Sequence, residues 1–136
     1  MKQKMVRDVM TRGVVSVSWD VPAIEVAKTM AEYNVSAVAV VYPDGSVAGV
    51  ISEMDILEAY EKMQLEHAVA EDIMTPHIES LKPTTTLEEA ARHMVKRRIH
   101  RLLVLSERMG CGTRPVGVIS ASDIIKEIAK SLGETT

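Results

Sequence analysis

The chain has 136 residues, 46% of them hydrophobic, with four aromatic side chains (Trp19, Tyr33, Tyr42, Tyr60), no phenylalanine and a formal net charge of −3. That composition suits one compact domain, or two small halves around an aliphatic core, and no apolar run reaches the roughly 18 residues a membrane span requires. Residues 1–68 carry six basic and ten acidic side chains and residues 69–136 carry ten and nine, without the strong basic excess of a nucleic-acid binder but with room for a local anion site in the second half.

In chain order, Asp8-Val9-Met10-Thr11 precedes a first strand predicted over 14–17. A helix follows, with Pro22 where a first turn accepts proline and Ile24, Ala27 and Ala31, beside Met30, marking its apolar face. Strands over 37–41 and 47–51 flank Pro43-Asp44-Gly45, a hairpin turn signal. A helix over 53–63 closes this half, with Ile56, Tyr60 and Met63 expected to pack on the sheet.

The second half repeats the first. Asp72-Ile73-Met74-Thr75 returns at an offset of 64, and Leu102-Leu103-Val104-Leu105 matches Val38-Ala39-Val40-Val41 at the same offset. After an insertion around residues 107–114 the offset becomes 68, where Gly117-Val118-Ile119-Ser120 meets Gly49-Val50-Ile51-Ser52 and Asp123-Ile124 meets Asp55-Ile56. Here strands are predicted over 78–81, 102–105 and 116–119. Thr85 and Glu88 have capping-box spacing ahead of a helix carrying Leu87, Ala90, Ala91, Met94 and Val95 as one stripe. A last helix over 122–132 presents Ile124, Ile128 and Leu132. Neither small sheet can bury its faces alone, so the copies are expected to pack as one pseudo-symmetric α/β unit with α+β character.

The doubled order βαββα, with Met-Thr before the first strand, Arg98-Ile99-His100-Arg101-Leu102, and two Gly-hydrophobic-hydrophobic-Ser-x-x-Asp runs, resembles the CBS domain family over roughly residues 6–132. The resemblance implies a Bateman module of two motifs, 6–64 and 69–132, between short tails at 1–5 and 133–136. It implies two quasi-equivalent clefts, pairing into a homodimer, and binding of AMP, ADP, ATP or S-adenosylmethionine as a regulatory ligand controlling an unidentified partner protein. It implies neither catalysis nor a required cofactor.

By that resemblance Asp55 and Asp123 stand at the ribose position, where a carboxylate accepts from both hydroxyls. Ser52 and Ser120, with Ser122 in the second copy, can offer hydroxyls to phosphate. His100 and Arg101 match a His-Arg pair that faces phosphates, whereas the first copy has Ser36 and Ala37 there. One cleft would then use Thr11, Val14, Val35 and Ala37 with His100, Arg101, Ser120 and Asp123, and is the expected tighter anion site. The other would use Thr75, Ile78, Ile99 and Arg101 with Ser36, Ser52 and Asp55, and Arg12 could serve either. Read from the spacing alone, Ser-x-x-Asp at a helix start is first of all a capping box, stabilising by about 1 kcal/mol, and the doubled motif in the family context turns the reading to ligand binding. Lys96, Arg97 and Arg98 read as a basic helix end.

His67, His77, His93 and His100 lack paired metal-ligand spacing, and Cys111, in a Gly-rich insertion, has no evident catalytic base and no disulfide partner. Met10, Met30, Met74 and Met94 read as core filler. With no apolar signal region at the N-terminus, the cytoplasm is the expected location. The alternative to a ligand sensor is a ligand-free CBS scaffold used for dimerisation or protein contact.

Overall fold

The computed structural model describes residues 4–76, 79–108 and 112–134. Its elements are α1 (Val6–Val9), β1 (Thr11–Arg12), β2 (Ser16–Ser18), α2 (Ala23–Tyr33), β3 (Ala37–Val41), β4 (Val47–Ser52), α3 (Glu53–Glu61), α4 (Ala70–Ile73), β5 (Ser80–Leu81), α5 (Leu87–Arg97), β6 (Arg101–Arg108), β7 (Gly112–Ser120) and α6 (Ala121–Glu134). Helices and two sheets alternate along the chain as the α/β reading expects.

The elements group into two units that do not follow the order of the repeats. The first takes 4–13, 79–106 and 115–134; the second takes 14–76 with 107–108 and 112–114. The leader of each repeat has exchanged places. In the first unit, Val6 N donates to Thr85 O (2.7 Å) and Leu87 N to Lys4 O (3.0 Å), tying the 4–13 leader to the start of α5. In the second, Ala70 N donates to Val21 O (2.8 Å) and Ala23 N to Ala68 O (2.9 Å), tying the other leader to the start of α2.

The first unit contains the sheet β1-β7-β6-β5, the second the sheet β2-β3-β4. In the latter, β2 runs parallel to β3 (Val17 opposite Val40) and β3 antiparallel to β4 (Val38 opposite Ile51). The β3–β4 turn closes with Gly45 N donating to Tyr42 O (2.8 Å) and Gly45 at φ 87°, a conformation that favours glycine. Both predicted strand pairs are present, the second longer than expected because the insertion continues β6 and β7.

Each unit has an aliphatic core. Val6, Leu87, Ala90, Val104 and Ile119 are fully buried in one, Val26, Val38, Val40, Ile51 and Ala70 in the other. Burying a Val- or Ile-sized side chain stabilises by about 1.5–3 kcal/mol, so these positions carry the fold.

Several helix-face expectations need correction. The α2 core face is Ala23, Val26 and Met30, while Ile24 is surface-exposed; Ala27 and Ala31 line a groove instead. Along α5, Leu87, Ala90 and Met94 are buried but Val95 is 77% exposed. Tyr60 and Met63 are 72% and 82% exposed, and Ala59 is the buried residue of α3. Along α6 only Ile124 is buried, with Ile125, Ile128 and Leu132 exposed. The α5 cap lies one residue later than predicted: Thr86 Oγ1 accepts from Glu89 N (3.2 Å). Thr85 is occupied elsewhere, its carbonyl by Val6 N and its hydroxyl by Lys82 N (3.2 Å).

Candidate functional site

Each unit sets one Gly-x-x-Ser-x-x-Asp run against one Met-Thr pair. In the first, β1 pairs antiparallel with β7, placing Thr11 opposite Val118 and Arg12 opposite Gly117. A Cβ on Gly117 would lie 2.7 Å from both Met10 Sδ and the Thr11 carbonyl oxygen. In the second, Val50 and Thr75 exchange backbone hydrogen bonds of 3.0 and 2.8 Å, and a Cβ on Gly49 would lie 2.7 Å from Met74 Sδ and Thr75 O. The recurrence of Met-Thr with Gly thus has a steric origin: the leader crosses the strand where only glycine leaves room. Met10 and Met74 pack against the cores as expected.

Three residues after each glycine, β-strand gives way to helix at a serine. Ser52 Oγ accepts from Asp55 N (3.3 Å) while Asp55 Oδ2 accepts from Ser52 N (2.9 Å) and Ser52 Oγ (3.1 Å). Thr75 Oγ1 lies 3.4 Å from both Asp55 oxygens, a long and weak contact. In the first unit Asp123 N donates to Ser120 Oγ (3.2 Å) and Ser120 N to Asp123 Oδ2 (2.9 Å), and the Ser120 and Ser122 hydroxyls are 2.9 Å apart. Both aspartates therefore form capping boxes. Among the described residues, Asp123 Oδ1 has no hydrogen-bond partner, whereas both Asp55 oxygens face Thr75.

The segments preceding β3 and β6 abut these turns. Glu53 N donates to Ser36 O (3.1 Å) and Ala121 N to His100 O (2.8 Å), so positions 36 and 100 lie beside the first residue of α3 and of α6. Both segments follow left-handed helix ends, Asn34 at φ 52° and Arg98 at φ 54°, which turn the chain sharply into the strand. Arg98 is thus a C-cap; Lys96 and Arg97 occupy the last turn of α5, where Arg97 Nε lies 3.4 Å from Glu79.

The first unit accordingly collects Thr11, Arg12, Ile99, His100, Arg101, Ser120, Ser122 and Asp123. The second collects Val14, Val35, Ser36, Ala37, Ser52, Asp55 and Thr75. Val35, Ser36, Ala37 and Ser52 line one groove of about 820 Å³, with Glu53, Met54 and Leu57 of α3 and Ala27, Met30 and Ala31 of α2. Ile78, His77 and Cys111 lie outside the described residues.

Two features were missed by sequence reasoning. Glu53 stands at the start of α3 where Ala121 stands in the other copy, a difference visible in the aligned runs but given no role there. Arg114, in the insertion, lies against the β3–β4 turn: a Cβ on Gly45 would collide with its guanidinium. The Asp44 carboxyl is held below its ordinary value, first by the Ser46 hydroxyl (2.6 Å) and backbone amide (2.9 Å), then by Arg114. Arg114 Nε is buried without a partner among the described residues. No sequence signal links residues 44 and 114.

Among the described residues, no helix is long and apolar enough to cross a membrane.

A CBS domain family model matches residues 6–62 and again 69–130. The protein MJ1225 of Methanocaldococcus jannaschii is 29% identical over 121 residues, 89% of this chain and 41% of that protein. The chain spans less than half the length of the first curated relatives it matches. Among solved structures, the CBS domain pair of protein MJ0100, in complex with 5'-methylthioadenosine and S-adenosyl-L-methionine, superposes with TM-score 0.77 at 21% identity, covering 95% of this chain and 98% of that one. CBSX2 in complex with AMP superposes with TM-score 0.75 at 22% identity, covering 93% and 96%. At these identities the superpositions establish the fold.

Proposed function

Since the chain belongs to the CBS domain family and carries two copies of the motif, we propose that it is a regulatory module that binds an adenine nucleotide or adenosyl compound at its Ser-x-x-Asp turns and acts on a partner protein. The observation that carries this reading is the Asp123 turn. It offers a carboxylate oxygen without a partner among the described residues, two adjacent hydroxyls and, at the segment abutting α6, His100 and Arg101. A carboxylate can accept both ribose hydroxyl protons, and a guanidinium can grip a phosphate in bidentate fashion. Solved CBS pairs in complex with AMP and with S-adenosyl-L-methionine support the ligand class.

Thr11 would close the same site from β1, and Ser52, Asp55 and Thr75 would form its counterpart. Val14, Val35, Ala37, Ile78 and Ile99 would supply backbone and apolar contacts to the base, and Ser36 would join Ser52 and Asp55 as a polar group. Homodimerisation belongs to the same proposal. It is supported by apolar side chains left uncovered on α3 and α6, with Leu57 58% and Ile125 62% exposed. A cytoplasmic location belongs to the same proposal.

A scaffold that binds no ligand draws on a specific observation too: both aspartates already serve as caps. A thermal-shift panel of AMP, ADP, ATP and S-adenosylmethionine separates the two. A folded-state ligand at a hundredfold excess over Kd stabilises by about 2.7 kcal/mol. We expect a clear rise in Tm with at least one compound, the response to AMP being abolished by Asp123→Ala, although that variant also loses about 1 kcal/mol of capping without ligand. A flat panel at millimolar ligand, or an AMP response unchanged in Asp123→Ala, overturns the sensor reading.

A further inference from the structure

Regrouping the charges by unit rather than by repeat separates them sharply. Among the described residues the first unit holds eleven basic and seven acidic side chains, a net of +4, and the second four basic and twelve acidic, a net of −8; Lys2 lies outside them. The polarity recurs at the turns themselves. Around Asp123 the abutting segment brings His100 and Arg101, and the first residues of α6 are Ala121 and Ser122. Around Asp55 the same places hold Ser36 and Ala37, then Glu53 and Met54.

Among the described residues, the Asp55 turn thus has two carboxylates, no cation and a methionine where the other has its second hydroxyl. Glu53 is exposed, and its backbone amide is bonded to Ser36, so it is held at the turn. A phosphate placed there would meet repulsion from Glu53 and from a strongly acidic unit, whereas a positively charged group would meet attraction from both.

We propose that the two turns take adenosyl ligands of opposite charge: a phosphorylated adenosine at Asp123, and an adenosyl sulfonium at Asp55, with Glu53 the residue that sets the second preference. This rests on the adenosyl-binding reading above and assigns the ligand class of each site.

The test is calorimetric titration of the full chain, and of Asp123→Ala and Asp55→Ala, with AMP, S-adenosylmethionine and the uncharged 5'-methylthioadenosine. Asp123→Ala is expected to retain a site that binds S-adenosylmethionine at least tenfold more tightly than AMP, and Asp55→Ala one with the reverse order. Adding Glu53→Gln to Asp123→Ala is expected to reduce the S-adenosylmethionine-to-AMP ratio at least threefold and leave 5'-methylthioadenosine unmoved. Glu53 is a surface residue, so this change tests charge without threatening the fold; circular dichroism checks each variant. Equal affinities in Asp123→Ala, or a ratio unmoved by Glu53→Gln, overturns the charge assignment while leaving adenosyl binding intact. If none of the three compounds binds the full chain, the sensor reading falls and this assignment with it.

Discussion

Replacing Gly117 by alanine adds one carbon where the leader strand crosses β7. That carbon would lie 2.7 Å from Met10 Sδ and 2.7 Å from Thr11 O, against about 3.5 Å or more for a comfortable contact. The methionine can swing aside, since its three torsions are soft. The carbonyl cannot, because Thr11 is held in register opposite Val118. Relief therefore requires moving β1 by several tenths of an ångström, and overpacking of this kind costs about 1–3 kcal/mol. For a chain of 136 residues, an unfolding entropy of about 2.1 cal/mol/K per residue converts this to a fall in Tm of roughly 4–10 °C. Differential scanning calorimetry on the purified variant measures it. Gly133→Ala is the control: a Cβ there meets nothing within 4 Å and the residue lies in α6, so the same substitution should be neutral or stabilise by up to about 1 kcal/mol. A Gly117→Ala variant melting within 1 °C of the parent refutes the crossing of Thr11 over β7. So does a Met10→Ala/Gly117→Ala double variant that recovers fully, since the carbonyl overlap would then carry no cost.

Asp44 gives a pH prediction. Its carboxyl is lowered from the ordinary value of 3.8, chiefly by Ser46, so the folded state favours the ionised form. The stability this contributes is complete above that ordinary value and is lost as the pH falls through the folded one. The Tm difference between parent and Asp44→Asn should accordingly be largest near neutrality and shrink in acid; a difference independent of pH between 7 and 3 would contradict the assignment. For self-association, Leu57→Asp places a charge on the uncovered face of α3. Sedimentation velocity should show a shift from dimer to monomer with an unchanged far-ultraviolet spectrum, and a monomeric parent would remove the dimer from the proposal.

The repeat made most of the architecture legible before any coordinates. Recurrence of Met-Thr, of the β3-type run and of Gly-x-x-Ser-x-x-Asp placed the first-copy strands within two residues, left β6 and β7 three and four residues short at the insertion, and identified the turns at Asp55 and Asp123. Helix faces were less legible. Tyr60, Met63 and Val95 are apolar, and periodicity alone assigns apolar residues to a core; it cannot distinguish a face packed on a sheet from one left uncovered. The α5 cap slipped by one residue because Thr85 and Thr86 are chemically interchangeable as caps, and only the demand of Val6 N on the Thr85 carbonyl decides between them. The exchange of leaders was invisible for a related reason: identical offsets on both sides of an exchange leave the internal alignment unchanged. The Arg114 contact with the Asp44 turn likewise depends on tertiary placement that spacing does not encode.

The exchanged leaders also impose a timetable on synthesis. Residues 14–76 leave the ribosome as an almost complete set for one unit, whereas β1 must wait for β7, emerging more than a hundred residues after it. At typical elongation rates that interval is about 5–20 s. Until the α5 and β7 segments emerge, Val6, wholly buried in the finished molecule, and Met10 lack the neighbours that cover them. A cut between the repeats would make that wait permanent, separating β1 from β7 and Ala70 from Val21. Two half-chains expressed apart should therefore be insoluble yet assemble when synthesised together.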